Sequence, residues 1–228
     1  MLLQVIQSII RGYPVNLSSV IMQILAVLFI IFCILPLHEL AHAWTAYKLG
    51  DNTAKYNGRL TLNPLASIDP IGSLAILLFG FGWAKPVPVD SRYFKNPKRD
   101  MAITALAGPV SNLLAAFIGA LIGNAILSID MLPVEPKIWI SFFFSYYVSI
   151  NVMLAVFNLI PLPPLDGSRI IGAFLSNKAL FKYYQYQNYI MLGLFLLLFL
   201  GVLDIPLGIL RNVVENGIYW LAGLPFNH

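Results

Sequence analysis

Residues 101–129 carry no charged side chain, and neither do residues 138–165. Uncharged runs of this length match the roughly 20 apolar residues that a helix needs to cross a bilayer. The whole chain follows suit: 59% of its 228 residues are hydrophobic, 11% are charged and the mean hydropathy is +0.79. An ordinary globular domain needs about 25% charged residues for its surface. A soluble domain, a disordered chain, a coiled coil and a disulfide scaffold are therefore excluded. Cys33 is the single cysteine; it lies in an apolar run, rules out an internal disulfide and is expected to be a small buried hydrophobe. The formal charge of +4 points to no nucleic acid, because basic residues of membrane chains gather in cytoplasmic loops.

The pattern predicts an all-α polytopic membrane protein, one membrane-embedded domain over 1–228 with four main transmembrane helices. Residues 1–12 suit an interfacial helix. The first span covers about 20–46. The second, 101–129, carries Ala115, Gly119 and Gly123 at four-residue spacing, a surface for close helix packing. The third covers 138–160 and stops before Pro161, Pro163 and Pro164, which cannot continue a helix. A fourth, about 183–203, follows the interface tyrosines Tyr183, Tyr184, Tyr186 and Tyr189. The tail, 212–228, is expected at the surface. Residues 70–84 are apolar but short and glycine-rich, so they predict a re-entrant segment within a region, 58–89, that suits a small β element. Loop 48–99 is basic, with Arg59, Lys85, Lys98 and Arg99 among its charges, whereas loop 129–137 holds Asp130 and Glu135 against Lys137. The first loop is then cytoplasmic and both termini lie outside.

His38-Glu39-Leu40-Ala41-His42 is an H-E-x-x-H motif near the end of the first span. On a helix, histidines four apart share one face and can share a metal, with the intervening glutamate reaching a metal-bound water. Ionisable groups inside a bilayer cost at least about 2.5–3.5 kcal/mol each, so their presence signals function over glue. A hydrolytic zinc site needs three protein ligands and an open position. His228 stands at the far end of the sequence, so the third ligand is expected to be a carboxylate. Asp166 ranks first, because the first and third spans both end on the cytoplasmic side, and Asp69 is the rival. Gly167 beside it permits an unusual backbone, and Gly108, Pro109 and Asn112 are placed to line a polar channel.

These motifs continue through Gly58-Arg59-Leu60-Thr61-Leu62-Asn63-Pro64, Ile68-Asp69-Pro70-Ile71-Gly72, Gly82-Trp83-Ala84-Lys85-Pro86-Val87-Pro88-Val89, Ala107-Gly108-Pro109-x-x-Asn112 and Asn158-x-x-Pro161-x-Pro163-Pro164-Leu165-Asp166-Gly167. In that order, over roughly 20–175, they resemble the site-2 protease family of intramembrane zinc metalloproteases, in a compact form without an inserted PDZ or CBS domain. The resemblance implies zinc, one ion per chain, on His38, His42 and Asp166, with Glu39 as catalytic base and Asn158 holding the substrate or polarising its carbonyl. It also implies that 58–89 offers an edge for an extended substrate. Ser67 stands where many relatives have histidine, which withdraws any role borrowed from that residue.

The expected function is zinc-dependent endopeptidase action on transmembrane segments of membrane-anchored proteins. The partners are a transmembrane protein or peptide substrate and the lipid bilayer, in a multi-pass protein of the cell membrane whose active site faces the cytoplasm. The competing classes are a catalytically silent binder of membrane segments and a metal or proton transporter. Intact Glu39 between two ligand-spaced histidines argues against both.

Overall fold

The computed structural model describes residues 2–79 and 82–226. A short helix, α1 (Leu2–Ile10), leads into α2, a continuous helix over Leu17–Lys48 whose first turn is capped by the Asn16 side chain, which accepts from the Ser19 N–H at 3.1 Å. The turn Ile30–Ile34 of α2 is a π-turn, with the Leu35 N–H reaching the Ile30 carbonyl five residues back. Pro36 follows after Leu35. It cannot bond the carbonyl four residues before it and its ring crowds that carbonyl in a regular α-turn, a clash the wider turn accommodates. The extra residue also shifts the helical phase by roughly 100°. Beyond it His38, Glu39 and His42 are buried, whereas Cys33, within the turn, is exposed rather than buried as the sequence suggested.

Helix α3 (Pro70–Phe79) packs against α1. Proline occupies its first position, and Asp69 caps it by accepting from the Gly72 N–H at 2.8 Å. Residues 82–90 then form an extended arm. The Lys85 N–H bonds the Ser67 carbonyl at 2.8 Å, Arg59 donates to the Lys85 and Pro86 carbonyls at 2.6 and 3.2 Å, and the Asp90 N–H reaches buried Asp51 at 2.8 Å. At its end the Arg92 guanidinium and backbone N–H hold the Asp90 carboxyl below the usual carboxylate range. The small β element expected within 58–89 is not supported, nor is a re-entrant course for 70–84. Among the described residues there is no strand, and Gly80 and Phe81 lie outside them. The physical reason is that Pro86 and Pro88 have no N–H for a ladder, so side chains of α2 and its following loop hold the arm instead.

The centre of the bundle is α4 (Pro97–Leu127) and α5 (Val134–Asn158), packed on each other and on α2. Small residues set their approach as expected. A Cβ on Gly119 would collide with the Tyr147 ring, and one on Gly123 would lie 3.0 Å from the Phe144 ring. Val27 and Ile30 from α2, Ala116 and Ala120 from α4, and Val148 and Val152 from α5 make the dry core. Among the described residues, α2, α4 and α5 are the three helices long and apolar enough to cross a membrane.

After α5 the proline-rich turn 159–165 leads to α6 (Asp166–Gly172), which lies against α4, and then to α7 (Asn177–Gln185). The fourth span expected over 183–203 is divided. Helix α8 (Gln187–Phe199) has 13 residues, about 20 Å at 1.5 Å per residue, less than the roughly 30 Å hydrocarbon core. Gly201 then adopts φ +70° and the chain bends by 84° into α9 (Asp204–Gly223). The pair counts as a fourth span only if the bent unit is taken whole. The described part of the tail, within and just beyond α9, packs one face on α4 and α5, with Ile218 and Ala222 buried and Asn124 donating to the Ala222 carbonyl at 3.1 Å, and leaves Val213, Trp220 and Leu221 exposed. Hydropathy registers the apolar residues and not the left-handed break between them.

Candidate metal centre

Helices α2, α4 and α6 converge on one cluster. His38 and His42, one turn apart on α2, direct Nε2 atoms to within 3.1 Å of each other. Asp166, the first residue of α6, brings Oδ2 to 3.4 Å from His38 Nε2 and 3.2 Å from His42 Nε2. Among the described residues these three alone form a group able to hold a metal ion.

The opposite ring nitrogens decide what this triangle is. His42 Nδ1 lies 2.8 Å from the Thr104 carbonyl, which only accepts, so that nitrogen carries the proton and Nε2 presents a lone pair. His38 Nδ1 lies 2.7 Å from Asn112 Oδ1 and is fixed in the same sense. With both rings neutral, two imidazole lone pairs and a carboxylate oxygen face one another. Such an arrangement is repulsive by itself and is resolved by a cation. Its edges of 3.1–3.4 Å match the roughly 3.3 Å between neighbouring ligands of a tetrahedral zinc bound at about 2.0–2.1 Å. The donor set of two neutral histidines and one carboxylate fits zinc equally well.

Why the sequence folds this way locally is visible at two glycines. A Cβ on Gly108 would land on the His38 and His42 rings, so α4 touches the histidine face only because residue 108 has no side chain. Gly167 does not need the unusual backbone expected of it, since its φ is not positive. A Cβ there would strike the Leu159 and Ile160 carbonyls, so its role is to let the start of α6 back onto the end of α5.

Glu39, also buried, does not join the triangle. Its Oε2 accepts from the Val87 N–H of the arm at 2.9 Å. It shares a cavity of about 310 Å³ with the histidines, Asp166, Trp83 and Asn158. Asn158 is half-buried, and its Nδ2 donates to the Leu154 carbonyl of its own helix at 3.0 Å, which leaves the second N–H for a ligand. Asp69, the rival ligand, is committed to capping α3. His228 lies outside the described residues.

Sequence reasoning places Asn112 in a channel wall; in the structure it is the partner of His38 as well as a cavity residue. It misses Thr104, whose contribution is a backbone carbonyl and leaves no side-chain signature, and Val87, for the same reason. It also misses Arg169, one turn after Asp166, which lines the cavity.

Residues 125–200 match Peptidase family M50. The chain is 44% identical over 179 residues to YwhC of Bacillus subtilis, which bears the name of a zinc metalloprotease, covering 78% of each chain. It is 35% identical over 141 residues to Rip2 of Mycolicibacterium smegmatis, also named as a zinc metalloprotease, covering 58% of this chain and 51% of that one. The zinc metalloprotease MJ0392 of Methanocaldococcus jannaschii is 28% identical over 172 residues, 75% of this chain and 40% of its own. No solved structure matches.

Proposed function

The chain belongs to peptidase family M50, the site-2 protease family of intramembrane zinc metalloproteases, and from that premise we propose that His38, His42 and Asp166 hold one zinc ion while Glu39 and Asn158 act on the substrate. The observation that carries this assignment is the convergence of three acceptors, two of them oriented by α4, beside a buried carboxylate that stands outside the triangle.

When bound, the zinc polarises the scissile carbonyl and lowers the pKa of a water toward neutrality. Asn112 Oδ1 and the Thr104 carbonyl keep each Nδ1 protonated, and so keep each Nε2 free to bind. Glu39 has one oxygen tied to the Val87 N–H; its Oε1 takes the proton of the attacking water and delivers it to the leaving amide nitrogen. The Asn158 Nδ2 donates its second hydrogen to the carbonyl oxygen as charge builds there. A helical substrate hides its carbonyls in internal hydrogen bonds, so a cavity bordered by the extended arm favours a segment that has unwound.

The substrate class is a transmembrane segment of a membrane-anchored protein, cut by a single unit spanning 1–228. The excess of Lys and Arg in loop 48–99 supports a cytoplasmic-facing site in the cell membrane.

The decisive experiment measures metal and turnover together in detergent-solubilised protein. Glu39→Gln should keep about one zinc per chain and lose roughly 10²–10⁴ in turnover on a transmembrane peptide, whereas His38→Ala and Asp166→Ala should lose the zinc. Parental turnover in Glu39→Gln would sink the role of Glu39, and full zinc in Asp166→Ala would sink the ligand set.

A further inference from the structure

A second concavity lies outside the metal centre, between the first turns of α4 and the far end of α6. It measures about 780 Å³. Its two ends differ in chemistry. Lys98 and Arg99 stand at the start of α4 and Ile103 and Leu106 follow one to two turns further along it, while Ile170 and Phe174 line the facing side. Phe174, Ile103 and Leu106 are exposed.

Position along α4 makes this polarity meaningful. Lys98, Arg99 and Asp100 are the last charges before the uncharged run 101–129. A 31-residue helix is about 46 Å long, so its ends exceed the roughly 30 Å hydrocarbon core and reach the headgroup layer. The basic end of the groove therefore sits at headgroup depth. From Lys98 to Leu106 the helix descends about 12 Å, into the acyl region.

The charges are also available. Asp100 is buried, with its carboxylate taken up by the Asn96 N–H at 3.0 Å and by Arg99 at 2.9 Å. Arg99 remains largely exposed and has further N–H groups beyond those given to Asp100. Lys98, which lines the groove, donates once, to the Leu175 carbonyl at 2.7 Å, and has two further N–H bonds. Lys95 and Lys178 flank the same end in sequence. A positive, hydrogen-bond-donating end continuous with an apolar trough is complementary to one amphiphile: an anionic headgroup with an acyl chain.

We propose that this groove is a binding site for a single anionic phospholipid, whose phosphate meets Lys98 and Arg99 and whose chain lies along Ile103, Leu106 and Phe174. The occupant touches two of the three helices that build the metal centre. Helix α4 supplies the Thr104 carbonyl and Asn112, and α6 begins at Asp166. A bound lipid thus ties α4 to α6 on the side away from the cavity.

Binding is read without any assay of proteolysis, so its failure and that of the catalytic assignment are separable. Purified full-length protein is placed in phosphatidylcholine nanodiscs with or without phosphatidylglycerol. Retained lipid is then counted by native mass spectrometry and melting temperature recorded. The expected result is about one phosphatidylglycerol per chain and a melting temperature raised by that lipid alone. Each basic side chain near a charged membrane surface is worth roughly a fivefold change, so Lys98→Gln with Arg99→Gln should weaken retention about twenty-five-fold. Lys137→Gln, at the opposite end of the bundle, should leave it unchanged. Ile103→Trp, which fills the apolar end while keeping both cations, should also displace the lipid. Equal retention of phosphatidylcholine, undiminished retention in the double variant, or the same stabilisation by glycerol phosphate without acyl chains would each overturn the proposal.

Discussion

The two ends of the chain solve the problem of sitting in a membrane differently. Around the metal centre, α2 and α4 meet through specific polar contacts: His38 to Asn112, His42 to the Thr104 carbonyl, and both rings against the bare backbone of Gly108. At the C-terminal end, α8 leans on apolar contacts such as Phe195 against Trp83. Helix α9 adds polar pairs along one face, Asn124 to the Ala222 carbonyl, Glu215 with Ser149 and Tyr219 with Ser145, but none at its first turn beside the bend. Open space surrounds Gly193 and Gly217, where a Cβ would meet nothing within 4 Å. The first region is fixed in register by directional bonds in a low dielectric, where leaving one unmade costs about 1–3 kcal/mol. Helix α8 and the bend after it can shift at a smaller cost.

The contrast breaks hardest at Gly108. Alanine there must displace both imidazoles, because its Cβ falls on their ring atoms and α4 has no room to retreat from the packed core. Gly108→Ala should lose zinc as completely as His38→Ala while costing about 1–3 kcal/mol of stability, typical of overpacking. Metal analysis on the purified variant checks this. A folded Gly108→Ala with full zinc would show that the close approach is not needed.

Asn112→Ala comes next. Removing the Oδ1 that holds His38 leaves the ligand in place but free to choose its tautomer, so metal affinity should fall about 10–100-fold with little loss of helicity. Competition with a zinc-binding dye measures it. Asn112→Asp, which retains an acceptor, should recover most of the affinity; no recovery would mean that the side chain acts through packing.

The same contrast explains what was legible in the sequence. Histidines four apart with a glutamate between them, and an Asp-Gly after a proline break, are side-chain signals, and they located the cluster. The small-residue face of Gly119 and Gly123 was legible because packing against aromatics demands it. Thr104 and Val87 act through backbone atoms, which every residue has, so nothing in their identity announced them. The small β element failed because the prolines that shape the arm remove its ladder donors. The fourth span was legible in composition but its bend was not, because Leu, Phe and Ile read alike on both sides of it, and one glycine at φ +70° marks the break.

That glycine supplies the smallest test and the one that sharpens the comparison most. Gly201→Ala places a Cβ in the left-handed region and 3.2 Å from Asp204 Oδ2, so it should cost about 1–2 kcal/mol. Gly193→Ala and Gly217→Ala, in open helical positions, should instead be neutral or stabilising by up to about 1 kcal/mol through helix propensity. Thermal melting in detergent, with zinc measured on each variant, reads both. If the bend is held independently of the metal centre, all three variants keep the parental metal content while their melting temperatures move in opposite directions. Zinc loss in Gly201→Ala would instead mean that the bend is coupled through α9 and α4 to the histidine face, and that the two regions are one mechanical unit.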